Sequence, residues 1–172
     1  MDIPELIGEL VRERLAEYFE DVDLWPIPRI YPPADEKQLE LLERQSGQRL
    51  EETYGAFLAL TDGLDGFYLT MPILGCKDWG SNGPAQRALR FRDMLMESGT
   101  PEDVGLPRDV ELFPISVNED ASQAIFMIGS DAGIPERFWW VGEGDSQFFG
   151  TFADLLAYAL DSSLYSPREN VG

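Results

Sequence analysis

The chain has 172 residues, a length that suits one domain. With 44% hydrophobic residues it has enough apolar side chain to bury a core, and its composition lies outside that of disordered chains. Its 32 acidic residues against 13 basic ones give a net charge of −19, which disfavours nucleic acid and anionic membrane surfaces as direct partners.

The acid excess is densest late in the chain. Residues 101–172 hold 13 Asp or Glu and only three arginines, Arg108, Arg137 and Arg168. Such a surface keeps a protein soluble, and it also steers a basic partner inward. Cys76 is the sole cysteine, so no internal disulfide is expected, which leans towards a reducing, cytoplasmic location. Met1-Asp2-Ile3-Pro4-Glu5-Leu6 lacks the basic region and apolar run of a signal peptide, and no segment has the apolar length of a membrane span.

In chain order, the first expected element is a helix. Ile3, Leu6, Ile7, Leu10, Val11, Leu15, Tyr18 and Phe19 recur on one face, with Asp2 as cap and Pro4 in the first turn. Trp25-Pro26-Ile27-Pro28-Arg29-Ile30-Tyr31-Pro32-Pro33 must be extended. It reads as a connector strapped across the body, or as a proline-rich ligand for an SH3-like partner. A second helix is expected from near Asp35 to Gln45, with Leu39 and Leu42 inward, and a third from Glu51 to Leu60, with Leu50, Tyr54, Phe57 and Leu58 as its buried stripe. Asp62-Gly63-Leu64-Asp65-Gly66 reads as a helix stop and turn, and Phe67 to Leu74 as one strand. Gly75–Pro84 is expected as a loop, Pro84–Glu97 as a fourth helix, and Thr100–Asp109 as another loop.

Leu112–Val117, Gln123–Gly129 and Arg137–Gly142 read as strands of an antiparallel meander, with Gln147-Phe148-Phe149 as a further short one. On Phe138-Trp139-Trp140 one tryptophan should face the core and the other the opposite side, as packing beneath a helix or as a sugar-stacking platform. Thr151 and Asp154 resemble a capping box opening a last helix with Phe152, Leu155, Leu156, Ala159 and Leu160 on one stripe. The polar tail after Leu164 is expected to fray. Helices first, strands next and a closing helix predict a single α+β domain over residues 1–172, with N-terminal helices and a central antiparallel sheet of about four to six strands.

Chemistry is sparse. Without histidine, the usual general base and the commonest transition-metal ligand are missing. One cysteine cannot build a zinc site, and the glycines form no phosphate motif, so neither a metal nor a cofactor is expected. Cys76, beside Lys77 in a glycine-rich loop, is conceivable as a reactive thiol or as a buried, inert one. Carboxylate pairs such as Glu51-Glu52, and Asp21-Val22-Asp23 as a cation site, are what chance supplies among 32 acids. Arg87, Arg90 and Arg92 form the one basic spot, either an anion site or arginines ion-paired with neighbouring acids.

Several blocks resemble the SUKH superfamily, the Smi/Knr cell-wall-regulator-like fold found among bacterial immunity proteins. Arg49-Leu50-Glu51-Glu52-Thr53-Tyr54-Gly55-Ala56-Phe57-Leu58-Ala59-Leu60-Thr61-Asp62-Gly63 looks like its signature helix, with Glu51 where proline is usual. Leu112-Phe113-Pro114-Ile115 is similar to its central strand, and Phe138 to Asp145 to its aromatic strand and turn. Phe149-Gly150-Thr151-Phe152-Ala153-Asp154-Leu155-Leu156 is similar to the start of its closing helix. The blocks span about residues 35–160; residues 1–34 (helix plus proline-rich connector) and the Lys77–Asp109 insertion match nothing in it.

The resemblance implies an α+β fold without a common catalytic set, and a cytoplasmic immunity protein that binds and neutralises a toxin domain, often a nuclease or deaminase. The acid excess fits a basic partner of that kind. Contact is expected through the acids on the sheet turns, Glu119, Asp120, Glu143 and Asp145. The other readings are an intracellular scaffold or regulator of cell-envelope or signalling assembly, and a carboxylate-based hydrolase, which would need a deep cleft with two facing carboxyls.

Overall fold

The computed structural model describes residues 1–172. Helix α1 (Ile3–Glu20) opens on a capping box in which Asp2 accepts from the Glu5 amide and Glu5 from that of Asp2. The same device, with Gln38, starts α2 (Glu36–Ser46) at Asp35. Helix α3 is shorter than expected, Glu52–Leu58, because Ala59 and Leu60 tighten into a turn on Phe57. The proline-rich stretch is a strap: its strand β1 (Arg29–Ile30) pairs with β2 (Leu64–Tyr68), and the Tyr31 amide donates to the Thr61 hydroxyl.

The expected single strand from Phe67 to Leu74 is corrected to a hairpin. Strand β2 ends at Tyr68, Leu69 turns with φ 52°, and β3 (Met71–Ile73) runs back against it. Leu64 to Gly66 therefore belong to a strand and not to the turn expected there. Beyond a 3-10 turn at Cys76–Trp79 come α4 (Pro84–Ser98) and the single turn α5 (Thr100–Asp103), the latter within a stretch expected to be loop.

Strands β4 (Leu112–Val117), β5 (Gln123–Ile128), β6 (Phe138–Gly142) and β7 (Asp145–Phe149) form an antiparallel meander in that order. The strands thus make two sheets, of three and four strands, and β3 abuts β4 through the Leu74 amide on the Ile115 carbonyl (2.8 Å). A bulge between Pro114 and Ser116 accommodates the proline, which has no amide to give to the ladder. Helix α6 (Phe152–Leu160) starts at the expected Thr151–Asp154 capping box. The whole is one α+β domain.

The four-stranded sheet is buried on both faces. Ile125, Met127, Phe138, Trp140 and Phe149 meet α1, α3 and α6 on one side. Ala124, Phe126, Ile128, Trp139, Val141 and Phe148 meet α4 on the other. Both tryptophans are therefore core residues, in two different cores. The 77–109 segment supplies the helix that closes the second face. Along α1 the buried residues are Ile3, Leu6, Leu10 and Arg14, while Phe19, expected inward, is 72% exposed. Arg14 is held by the carbonyls of Phe67 (2.7 Å) and Ala159 (2.8 Å) and by Glu17.

The tail does not fray. Arg168 offers its carbonyl to the Phe148 amide and its guanidinium to buried Glu136, and the Val171 amide reaches the Val104 carbonyl.

Candidate functional site

In a meander, alternate turns share an end. The β4–β5 turn (Asn118–Ser122) and the β6–β7 turn (Gly142–Asp145) therefore lie together, and the β2–β3 turn at Leu69-Thr70 joins them. Asn118 builds the first of these. Its side-chain oxygen accepts from the amides of Ser122 (2.8 Å) and Gln123 (2.9 Å), and its side-chain nitrogen donates to the Ser122 hydroxyl. The second is a two-residue hairpin loop with φ 54° at Glu143 and 84° at Gly144, both left-handed as such a turn requires. Gly142 is glycine because a Cβ there would run into the Ser122 carbonyl and the Gln123 Cα. The three non-glycine residues with positive φ, Leu69, Ala121 and Glu143, fall one on each turn.

The four expected contact acids are all exposed at this end. Glu119, Asp120 and Glu143 line one groove of about 400 Å³ together with Leu69, Thr70 and Gln123. The Ser122 hydroxyl lies 2.7 Å from Asp120 Oδ1 and 3.3 Å from Glu143 Oε1, tying two turns together. Asp145 is displaced from this groove. It lines two neighbouring depressions, an aromatic one with Tyr68, Trp140 and Tyr158 and an apolar one with Phe91, Met94 and Val141. Glu143 also borders the apolar one.

The sequence offers no signal that would assemble the aromatic depression. Tyr68, Trp140 and Tyr158 come from β2, β6 and α6, and only the long-range pairing brings them together.

Of the remaining candidates, Arg87 reaches this end, through the Asn118 carbonyl. Cys76 has its thiol pushed up to about 12, by burial first and then by the Asp62 carboxylate, so it is held as the protonated, unreactive form. Lys77 does not activate it: its ammonium is bound to Asp78 (2.8 Å) and sits 3.9 Å above the Tyr31 ring. Of the three α4 arginines, only Arg92 makes an ion pair, with Asp93. Arg87 donates to the Asn118 carbonyl, and Arg90 is exposed. No group of His, Cys, Asp or Glu side chains, Asp21 and Asp23 included, is arranged to hold a metal ion. No helix is long and apolar enough to cross a membrane.

Sequence reasoning also missed the role of Glu51. This buried carboxylate accepts from the Tyr54 amide (3.0 Å) and the Phe152 amide (3.2 Å), capping α3 and α6 at once. The Thr53 hydroxyl donates to it and accepts from the Ala153 amide (3.0 Å).

Set against models of known families and against curated proteins, the chain matches none.

Proposed function

We propose that this chain is a protein-binding module that works without catalysis. In this reading it is a cytoplasmic immunity protein of the SUKH type, and it neutralises a basic, nucleic-acid-targeting toxin domain. One observation carries the proposal: two hairpin turns, β4–β5 and β6–β7, bring Glu119, Asp120, Glu143 and Asp145 to one end of a sheet whose two faces are filled by side chains. An array of carboxylates on braced turns raises the encounter rate with a basic surface, and it can occupy a site shaped for phosphates. The closed sheet faces favour binding at the end of the sheet over chemistry in a cleft across it.

The test is purification with, and inhibition of, the basic nuclease-like or deaminase-like domain encoded beside this chain. Wild-type protein should bind it and block its activity; failure to bind sinks the proposal. Reversing Glu119, Asp120, Glu143 and Asp145 to lysine should slow association by at least about tenfold at low salt and flatten its salt dependence. Unchanged kinetics would remove these four residues from the interface.

A further inference from the structure

We propose that the pocket beside Trp140 is a binding site for a single cationic side chain, lysine or arginine, with an aromatic floor and an acidic mouth. The source of that cation, a basic protein partner, rests on the function proposed above. The pocket itself, about 150 Å³, is lined by Tyr68, Gln123, Trp140, Asp145, Gln147 and Tyr158. Two tyrosines flank the indole nearly at right angles: Tyr68 at 5.0 Å and 87°, Tyr158 at 6.4 Å and 81° between ring centroids and planes. Rings crossed in this way wall a corner with π-electron density, which attracts an ammonium or guanidinium group within about 6 Å of a ring centre.

The charge at the pocket also favours a cation, because Asp145 is the one charged side chain that lines it. Trp140 gives its indole N–H to Gln123 Oε1 (3.2 Å), and Gln147 gives an amide N–H to the Tyr158 hydroxyl (2.6 Å). These two bonds brace the walls, and among the groups at the pocket without a hydrogen-bond or ion-pair partner are two acceptors, the Gln147 amide oxygen and the Asp145 carboxylate. A neutral apolar side chain would leave both unmet, whereas an ammonium or guanidinium brings several N–H donors to them.

The walls are fixed before any ligand arrives. Trp140 is 6% exposed and backed by Phe67 (5.9 Å) and Phe149 (6.4 Å). The volume accommodates a charged group with its last methylenes and leaves no room for a helix or strand, so the pocket reads one residue of a partner. Gln123 lines both this pocket and the acidic groove, which places the captured cation next to Glu119, Asp120 and Glu143. The partner should therefore present one protruding lysine or arginine within a wider basic patch.

The test is an NMR titration of the intact chain with N-acetyl-lysine-amide and N-acetyl-arginine-amide, read at the Trp140 indole resonance. N-acetyl-norleucine-amide, which is neutral, and glucose, a neutral sugar, serve as controls. Saturable shifts at Trp140 with the cationic probes alone support the site. Tyr68→Ala, at an exposed position, and Asp145→Asn should each weaken that binding at least threefold. Equal shifts with norleucine-amide or glucose overturn the proposal, and so do shifts unaffected by Tyr68→Ala or the absence of any shift at Trp140. The two proposals fail separately. A chain that neutralises its basic neighbour but shows no cation-specific shift loses only the pocket. A chain that shows the shift but binds no such neighbour loses the immunity function.

Discussion

Glu51 joins two helices that are about a hundred residues apart in sequence, and removing it should be felt in both. Glu51→Ala strips the acceptor from the buried Tyr54 and Phe152 amides. A buried donor left unmatched costs about 1–3 kcal/mol, so the two together cost roughly 4 kcal/mol. Relief from burying the carboxylate offsets part of this. The offset is modest, because two helix N-termini and the Arg137 guanidinium already favour the charge. The expected net loss is about 2–3 kcal/mol, a large share of a stability that is typically about 5–15 kcal/mol. Glu51→Gln keeps one oxygen in place and loses only the charge assistance, about 1 kcal/mol. Urea unfolding followed by tryptophan fluorescence gives both values from the shift in midpoint at constant slope. If Glu51→Ala costs less than about 1 kcal/mol, or if the glutamine variant is as damaging as alanine, the shared cap is not what holds α3 to α6.

Glu143→Asn should stabilise the fold by about 0.5–1 kcal/mol, since asparagine tolerates the left-handed conformation that glutamate adopts here, and it should slow association with a basic partner. A variant that is less stable, or that associates at the wild-type rate, contradicts one half of that trade. The Arg168 guanidinium holds the Glu136 carboxyl below its ordinary range. A carboxyl lowered in the folded state contributes stability above its ordinary value near 4.5, and the contribution disappears as pH falls through the lowered one. The stability gap between wild type and Arg168→Gln should therefore be present at pH 7 and close as the solution is acidified below about 4. A gap that persists undiminished at pH 2 would dissociate the tail contact from this ion pair. Cys76, raised from 9.0 to about 12, should carry roughly a thousandfold less thiolate at pH 8 than an ordinary thiol. Alkylation by iodoacetamide within tenfold of the rate of free cysteine would refute this.

Helix starts were the most legible features, because Asp2, Asp35 and Thr151 each announce a cap whose partner lies three residues on. The meander was legible from its turn residues, including Asn118 and Gly144. The β2–β3 hairpin was not, since its turn is Leu69-Thr70, with neither glycine nor asparagine to mark it. Periodicity along α1 placed Ile3, Leu6 and Leu10 correctly. It misjudged Phe19, which is exposed near the helix end, and it gave no sign of Arg14, whose buried charge is satisfied by carbonyls from Phe67 and Ala159, distant in sequence. The tail is polar in composition, yet backbone pairing and one ion pair dock it; composition reports neither. At the candidate site, the sequence placed the four acids on turns but could not show that Asp145 falls outside the groove of the other three.

On the function proposed above, the sheet with two covered faces bears on how this protein can change its specificity. Nearly every residue of β5 and β6 serves one core or the other, so substitution along those strands disturbs packing first. The turns answer to neither core at Glu119, Asp120, Glu143 and Asp145, whose side chains are exposed. Recognition can therefore drift at the end of the sheet while the rest of the chain stays still. A lineage pressed to follow a changing opponent would accumulate its differences there, and libraries built to retarget the protein should be confined to the same two turns.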